Sequence, residues 1–202
     1  MKLTRLLFVS LIVIVVMNAG CVGFVRSSYQ SLVSTPTPTP VSVTQPTPTL
    51  TPVNQTVQME YLFMENMNTG LASYNNGIIA MNDSRNASER KDWSNASSDI
   101  WFAKSYMDQA QQAFNSMVQY ASTQDEVSLS NEWNATAYYY STAFEFVNQS
   151  YTEGAYQDNR SSPNYVMYNY YVEQANYYIT MAVNSREDAI ALENETFVGQ
   201  QG

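Results

Sequence analysis

An alanine stands at every seventh position along two stretches of this chain: Ala96, Ala103 and Ala110, then Ala175, Ala182 and Ala189. A seven-residue apolar repeat keeps one stripe of a helix turned toward one neighbour. It marks a packing seam between long helices and does not fit a pleated strand, whose faces alternate every second residue. The stripe belongs to a longer repeat. Residues 106–118 (YMDQAQQAFNSMV) return 65 positions later as residues 171–183 (YVEQANYYITMAV). Tyr106, Gln109, Ala110 and Val118 are matched there by Tyr171, Gln174, Ala175 and Val183. A second alignment, at offset 66, pairs Asn68, Tyr74, Ile78, Met81, Asn82 and Ser84 with Asn134, Tyr140, Phe144, Val147, Asn148 and Ser150. Two alignments at nearly one offset point to a doubled helical hairpin.

Periodicity and end signals divide the rest into four helices. The first starts at Val57, with Val57, Met64, Leu71 and Ile78 on one line and Met67, Tyr74 and Met81 beside it, and runs to about Asn82. Gly70 and Gly77 lower its helix propensity, and residues 82–90 read as a polar turn. The second, about 89–122, carries Trp93, Ile100, Met107, Phe114 and Ala121 at one heptad position and the alanines, ending in Met117, at the other. Thr123 and Glu126 form a capping box that opens the third. Its face is Trp133, Ala137, Tyr140, Phe144, Val147 and Tyr151, and Gly154 reads as its stop. Ser162-Pro163 starts the fourth, whose stripe is Tyr165, Tyr168, Val172, Ala175, Ile179, Ala182 and Ala189, reaching about Phe197. Long helices joined by short turns predict an all-α, up-down-up-down four-helix bundle over residues 54–202, built from a duplicated hairpin.

What precedes the bundle reads as address and spacer. Lys2 and Arg5 come before a nearly unbroken aliphatic run, residues 6–17, the charged and apolar regions of an export signal over residues 1–20. Ala19, Gly20 and Cys21 follow directly. They resemble the lipobox of lipoproteins, in which a small pair precedes a Cys that is lipidated and becomes the mature N-terminus; Asn18 stands where an aliphatic residue is usual. Residues 6–25 also read as an uncleaved helix of about 30 Å, enough to span a bilayer, and simple secretion is a third outcome. In the first two the positive residues stay in the cytoplasm and the rest lies outside, tethered to the membrane. Residues 21–53 read as a disordered stalk. Thr35-Pro36-Thr37-Pro38-Thr39-Pro40, Pro46-Thr47-Pro48 and Thr51-Pro52 exclude helix and sheet and favour an extended polyproline conformation. Signal, Cys, Thr/Pro stalk and an acidic Asn- and Tyr-rich ectodomain together resemble archaeal cell-surface lipoproteins. That resemblance covers residues 1–53 and the composition, and it implies a surface location.

Composition closes several chemistries. There is no His and one Cys, which removes His-based triads and the usual zinc and haem ligand sets, so no cofactor is expected. Eighteen acidic residues against six basic ones leave residues 57–202 at about −12, by subtraction, a charge that repels nucleic acid. The carboxylate pairs Asp125-Glu126, Glu187-Asp188 and Glu193-x-Glu195 fall near helix ends or on polar faces and read as solvated charge, so no catalytic residue is assigned. The expected role is a non-catalytic surface protein with a structural or interaction function; the alternative is a solute-binding or sensory bundle. The latter needs a polar pocket, and no charged residue breaks the apolar seams on this reading.

Two features stand out from the background. Asn54, Asn82, Asn86, Asn95, Asn134, Asn148, Asn159 and Asn194 each begin an Asn-x-Ser/Thr triplet, an acceptor for N-glycans in an exported protein. The chain also holds 16 tyrosines, most of them between Tyr138 and Tyr178. Tyr170 and Tyr177 lie two places before the core residues Val172 and Ile179, and Tyr138 two before Tyr140, so all three are expected to face outward. An exposed phenol offers a flat apolar ring and a hydroxyl, suited to an envelope protein or a glycan.

Overall fold

The computed structural model describes residues 52–198. The expected export signal, Cys21 and all but the last two residues of the stalk lie outside them. Four helices follow in order: α1 (Pro52–Glu89), α2 (Trp93–Met117), α3 (Gln124–Asp158) and α4 (Val166–Val198). Among the described residues there is no strand. The chain is an all-α four-helix bundle. Successive helices pack side by side, and α1 reaches α3 across the bundle, whereas the backbones of α1 and α4 keep further apart.

Each connection is short and chemically specified, which forces antiparallel neighbours. Between α1 and α2 only Arg90, Lys91 and Asp92 intervene. Lys91 takes a left-handed φ of 61°, and Asp92 caps α2 by accepting from the Asn95 backbone N–H. At α3 the capping box is present in both halves. Thr123 Oγ1 accepts from Glu126 N at 3.2 Å, and Glu126 Oε2 accepts from Thr123 N at 3.0 Å. The α3–α4 loop is pinned by Asn164 N donating to Gln157 Oε1 at 2.7 Å. At this end of the bundle Asp158 gathers Lys91 Nζ (3.0 Å), Trp93 Nε1 (3.1 Å) and Tyr165 Oη (3.0 Å), tying three segments together. Burial alone pushes the Asp158 carboxyl up, but the hydrogen bonds from Lys91, Tyr165 and Trp93 and the charge of Lys91 outweigh it and hold it below its ordinary value.

The seam of α2 follows the alanine repeat: Ala96, Ile100, Ala103, Met107, Ala110, Phe114 and Met117 are all buried. On α1 the structure departs from the sequence reading. Met67, Tyr74 and Met81 are buried, but the companion line is Phe63, Gly70, Gly77 and Ser84, one position before Met64, Leu71, Ile78 and Arg85. Ile78 still reaches the core, whereas Val57 is exposed. The glycines are the reason. A methyl group on Gly70 would collide with the Phe114 ring, and one on Gly77 would meet the Met107 Cε and the Ala103 carbonyl, so the two helices touch at their smallest residues.

Four boundaries also move. The expected turn over residues 82–90 is helical to Glu89, because Ser84 faces inward and donates to the Ala96 carbonyl at 2.8 Å, and Ala87 is buried. Gly154 does not stop α3. It lies inside the helix against the Trp93 indole, and α3 continues to Asp158. Pro163 sits in the loop, and α4 begins at Val166. The second helix ends at Met117, which leaves Ala121 in the turn.

The repeat is only half expressed in space. Tyr74 and Tyr140, equivalent at offset 66, meet ring to ring at 5.8 Å, and Ser84 bonds Tyr151 one place beyond its equivalent. The second hairpin is not in the register of the first. Gly70 and Gly77 pack on Phe114 and Met107, whereas Phe146 stacks on Tyr178 and Asp158 bonds Tyr165. Carrying the first pairing over by the repeat would put Phe146 level with about residue 168, so α4 has slid by roughly ten residues, about 15 Å. The longer loop before α4 permits the slide.

Candidate functional site

Polar groups occupy the bundle axis as well as its surface. Halfway along, Trp133, Tyr74 and Tyr140 form an aromatic cluster, with Phe114 stacked on Trp133 at 5.4 Å and Tyr74 edge-on at 5.8 Å. The Tyr74 and Tyr140 hydroxyls are hydrogen-bond partners. Arg186 enters from α4 at a seam position, four after Ala182 and three before Ala189, and is 6% exposed. This corrects the expectation that no charge breaks the seams. The long Arg stem packs as an apolar chain, and the guanidinium charge is felt by both phenols. Burial pushes both phenols above their ordinary value, well above for Tyr74, and the Arg186 charge partly offsets it. All five side chains are closed to solvent, which makes the cluster a structural network without access for a solute.

Seven residues beyond Arg186 the same seam carries Glu193. Burial pushes its carboxyl above the ordinary 4.5. A raised carboxylate pKa means that the fold favours the protonated form. Its contribution to stability is complete below the unfolded-chain value and lost as pH rises through the folded one. Glu193→Gln should therefore melt at a higher temperature than the parent at pH 7, with the gap closing near pH 4. Thermal melts across that range check this, and a gap of equal size at both pH values would show that ionisation of Glu193 costs the fold nothing.

Smaller hydroxyls stitch the helices elsewhere. Ser97 donates to Asn148 Oδ1 and Ser141 to Asp108 Oδ1 between α2 and α3, while Ser84 Oγ, its own proton given to the Ala96 carbonyl, pairs with the Tyr151 hydroxyl between α1 and α3. Among the described residues no three His, Cys, Asp or Glu side chains come together as a metal-binding group. Glu126 of the expected carboxylate pairs is spent on its cap, and Glu187 and Asp188 are exposed.

Tyr138, Tyr170 and Tyr177 are all exposed. The structure does not bring them into one patch. Tyr178 stacks on Phe146, which sets Tyr177 level with about residue 147 of α3, roughly 13 Å along the axis from Tyr138. Tyr170 lies further away still. Tyr170 and Tyr177 instead share the outer face of α4 with Val166 and Met167, also exposed. Sequence reasoning passed over Trp101 and Phe102. They directly follow the core residue Ile100, stand 59% and 51% exposed, and meet edge to face at 5.8 Å. The available signal was that they fall off both heptad lines.

The acceptor asparagines differ in access. Asn86, Asn95, Asn159 and Asn194 are exposed, whereas Asn82, Asn134 and Asn148 are half-buried; Asn54 falls in the opening turn of α1. Asn86, Asn95 and Asn159 sit at or beside the turns at the Asp158 end of the bundle. Cys21 lies outside the described residues. No described helix is long and apolar enough to cross a membrane. Comparison with protein-family models, characterised proteins and solved structures finds no match.

Proposed function

We propose that this is a membrane-tethered, non-catalytic protein of the extracytoplasmic surface, whose helical bundle engages an envelope component through its outer aromatic faces. The observation that carries the reading is the line of Val166, Tyr170 and Tyr177 on the solvent side of α4. A bundle with a filled core has no packing need for large apolar groups there. The aliphatic run over residues 6–17 with Cys21 after it, and the Thr/Pro stalk, supply the tether and the reach. A solute-binding role finds less support, because the polar interior at Arg186, Tyr74 and Tyr140 is sealed by its own neighbours.

The test purifies the full chain from its own membrane and measures two things. Mass spectrometry should find an N-terminus that starts at a lipidated Cys21, and persistence of peptides from residues 1–20 would replace the lipid anchor with an uncleaved helix. Substituting Ser for Tyr138, Tyr170 and Tyr177 together should preserve helicity and weaken crosslinking to envelope components several-fold. Unchanged crosslinking would remove the tyrosines from the contact surface.

A further inference from the structure

One concave feature combines exposed aromatic surface with free polar edges. Between α2 and α3 runs a groove of about 280 Å³ lined by Ile100, Trp101, Lys104, Phe144, Glu145 and Asn148. Ile100 and Phe144 are fully buried and form an apolar floor. Trp101 forms a wall, braced edge to face by Phe102. The rim is polar and held in place. Lys104 pairs with Asp108 at 3.0 Å, and Asp108 in turn accepts from Ser141. Asn148 Oδ1 is taken by the Ser97 hydroxyl, which leaves its amide NH2 as donor, and Glu145 is exposed.

We propose that this groove seats one neutral sugar unit, its C–H face stacked on Trp101 and its hydroxyls bonded by Glu145, Asn148 and Lys104. A pyranose has one apolar face and an edge of vicinal hydroxyls. It therefore needs an aromatic plate beside mixed donors and acceptors, and the groove has room for a single ring. Charge selects the class. Lys104 is already offset by Asp108, and Glu145 adds a negative charge, so an acidic sugar is repelled. Asn148 also begins the triplet Asn148-Gln149-Ser150, so the sugar has two sources: a glycan carried by Asn148 itself, whose Nδ2 is then the glycosidic nitrogen and leaves Glu145 and Lys104 to bond the hydroxyls, or one presented by another molecule. The proposal does not depend on the membrane anchor.

Of the three tryptophans, Trp133 is fully buried and Trp93 half-buried, so quenching of fluorescence by iodide reports mainly on Trp101. Full-length chain made in a host without N-glycosylation would be titrated with maltotriose, mannobiose, chitotriose and, as the acidic control, sialyllactose. At least one neutral sugar should cut the quenching constant two-fold or more, with no effect from sialyllactose. Trp101→Ala should keep its helicity by circular dichroism and lose the response, and Glu145→Gln should weaken it several-fold. In chain purified from its own host, a quenching constant already low and restored by Ser150→Ala, which removes the acceptor triplet and leaves the Asn148 amide in place, identifies the protein's own glycan as occupant. A constant unchanged by Ser150→Ala, with protection on adding sugar, assigns the seat to an external glycan. If no neutral sugar protects Trp101 and both preparations quench alike, or if protection survives Trp101→Ala, the seat does not exist.

Discussion

Trp133→Ala should cost about 3–5 kcal/mol, the range for removing a fully buried Trp, and lower the melting temperature by something on the order of 10 °C. Trp133 is 0% exposed and is the largest of the fully buried side chains. It holds Phe114 of α2 by stacking and Tyr74 of α1 edge-on, so one side chain of α3 joins three helices. Its Nε1 has no hydrogen-bond partner, so the loss is packing and cavity with no polar group orphaned by the change. Trp133→Phe, which keeps much of the volume, should recover more than half of the stability. Denaturant titration of both variants decides this; a Trp133→Ala midpoint within error of the parent would mean that the aromatic cluster does not join the helices.

Gly70→Ala should also destabilise, against the usual rule that Ala is the better helix former by about 1 kcal/mol. The added Cβ would lie 2.6 and 2.8 Å from two ring atoms of Phe114 and closer to a third. Movement of that ring is restricted, because Trp133 stacks on it. Overpacking of this kind costs about 1–3 kcal/mol, which exceeds the propensity gain. Gly77→Ala should be milder, since the Met107 Cε it meets is the end of a flexible chain. The contact hypothesis makes a further demand: Gly70→Ala and Phe114→Leu should be less harmful together than the sum of each alone. Strict additivity would place the strain elsewhere.

Much of the fold was legible because helical periodicity is a local property. The α2 seam was readable at both heptad positions, and the α3 capping box was readable from Thr123 and Glu126 alone. The α1 seam was misplaced for a physical reason. Gly70, Gly77 and Ser84 are small or polar, so a hydrophobic pattern assigns the line to Leu71 and Ile78 instead. What qualifies the small residues is the bulk they face, Phe114 and Met107, which lies roughly 30 to 44 positions away in the chain. Arg186 escaped for a related reason. A charge reads as solvent-facing, and only the packing of the other helices shows it enclosed.

The candidate surface divides the same way. Outward placement of Tyr138, Tyr170 and Tyr177 followed from angles on single helices. Whether they share a patch depended on the level at which α4 docks on α3, and the contacts of Phe146 with Tyr178 and Asp158 with Tyr165 put them at separate heights. The groove beside Trp101 joins residues of α2 and α3 that are roughly 40 to 50 positions apart, and nothing local connects them.

The sequence by itself determined how many helices form, where α3 is capped, which face of α2 is buried, and that the usual His and Cys chemistry is closed. These depend on i to i+4 neighbours and on composition, which a linear reading contains. Only the tertiary structure decided which small residues make the α1–α2 contact, that Arg186 lies inside, and that α4 is slid out of the repeat's register. Those outcomes are set by the volumes that meet across an interface and by loop length, and neither is a property of one helix.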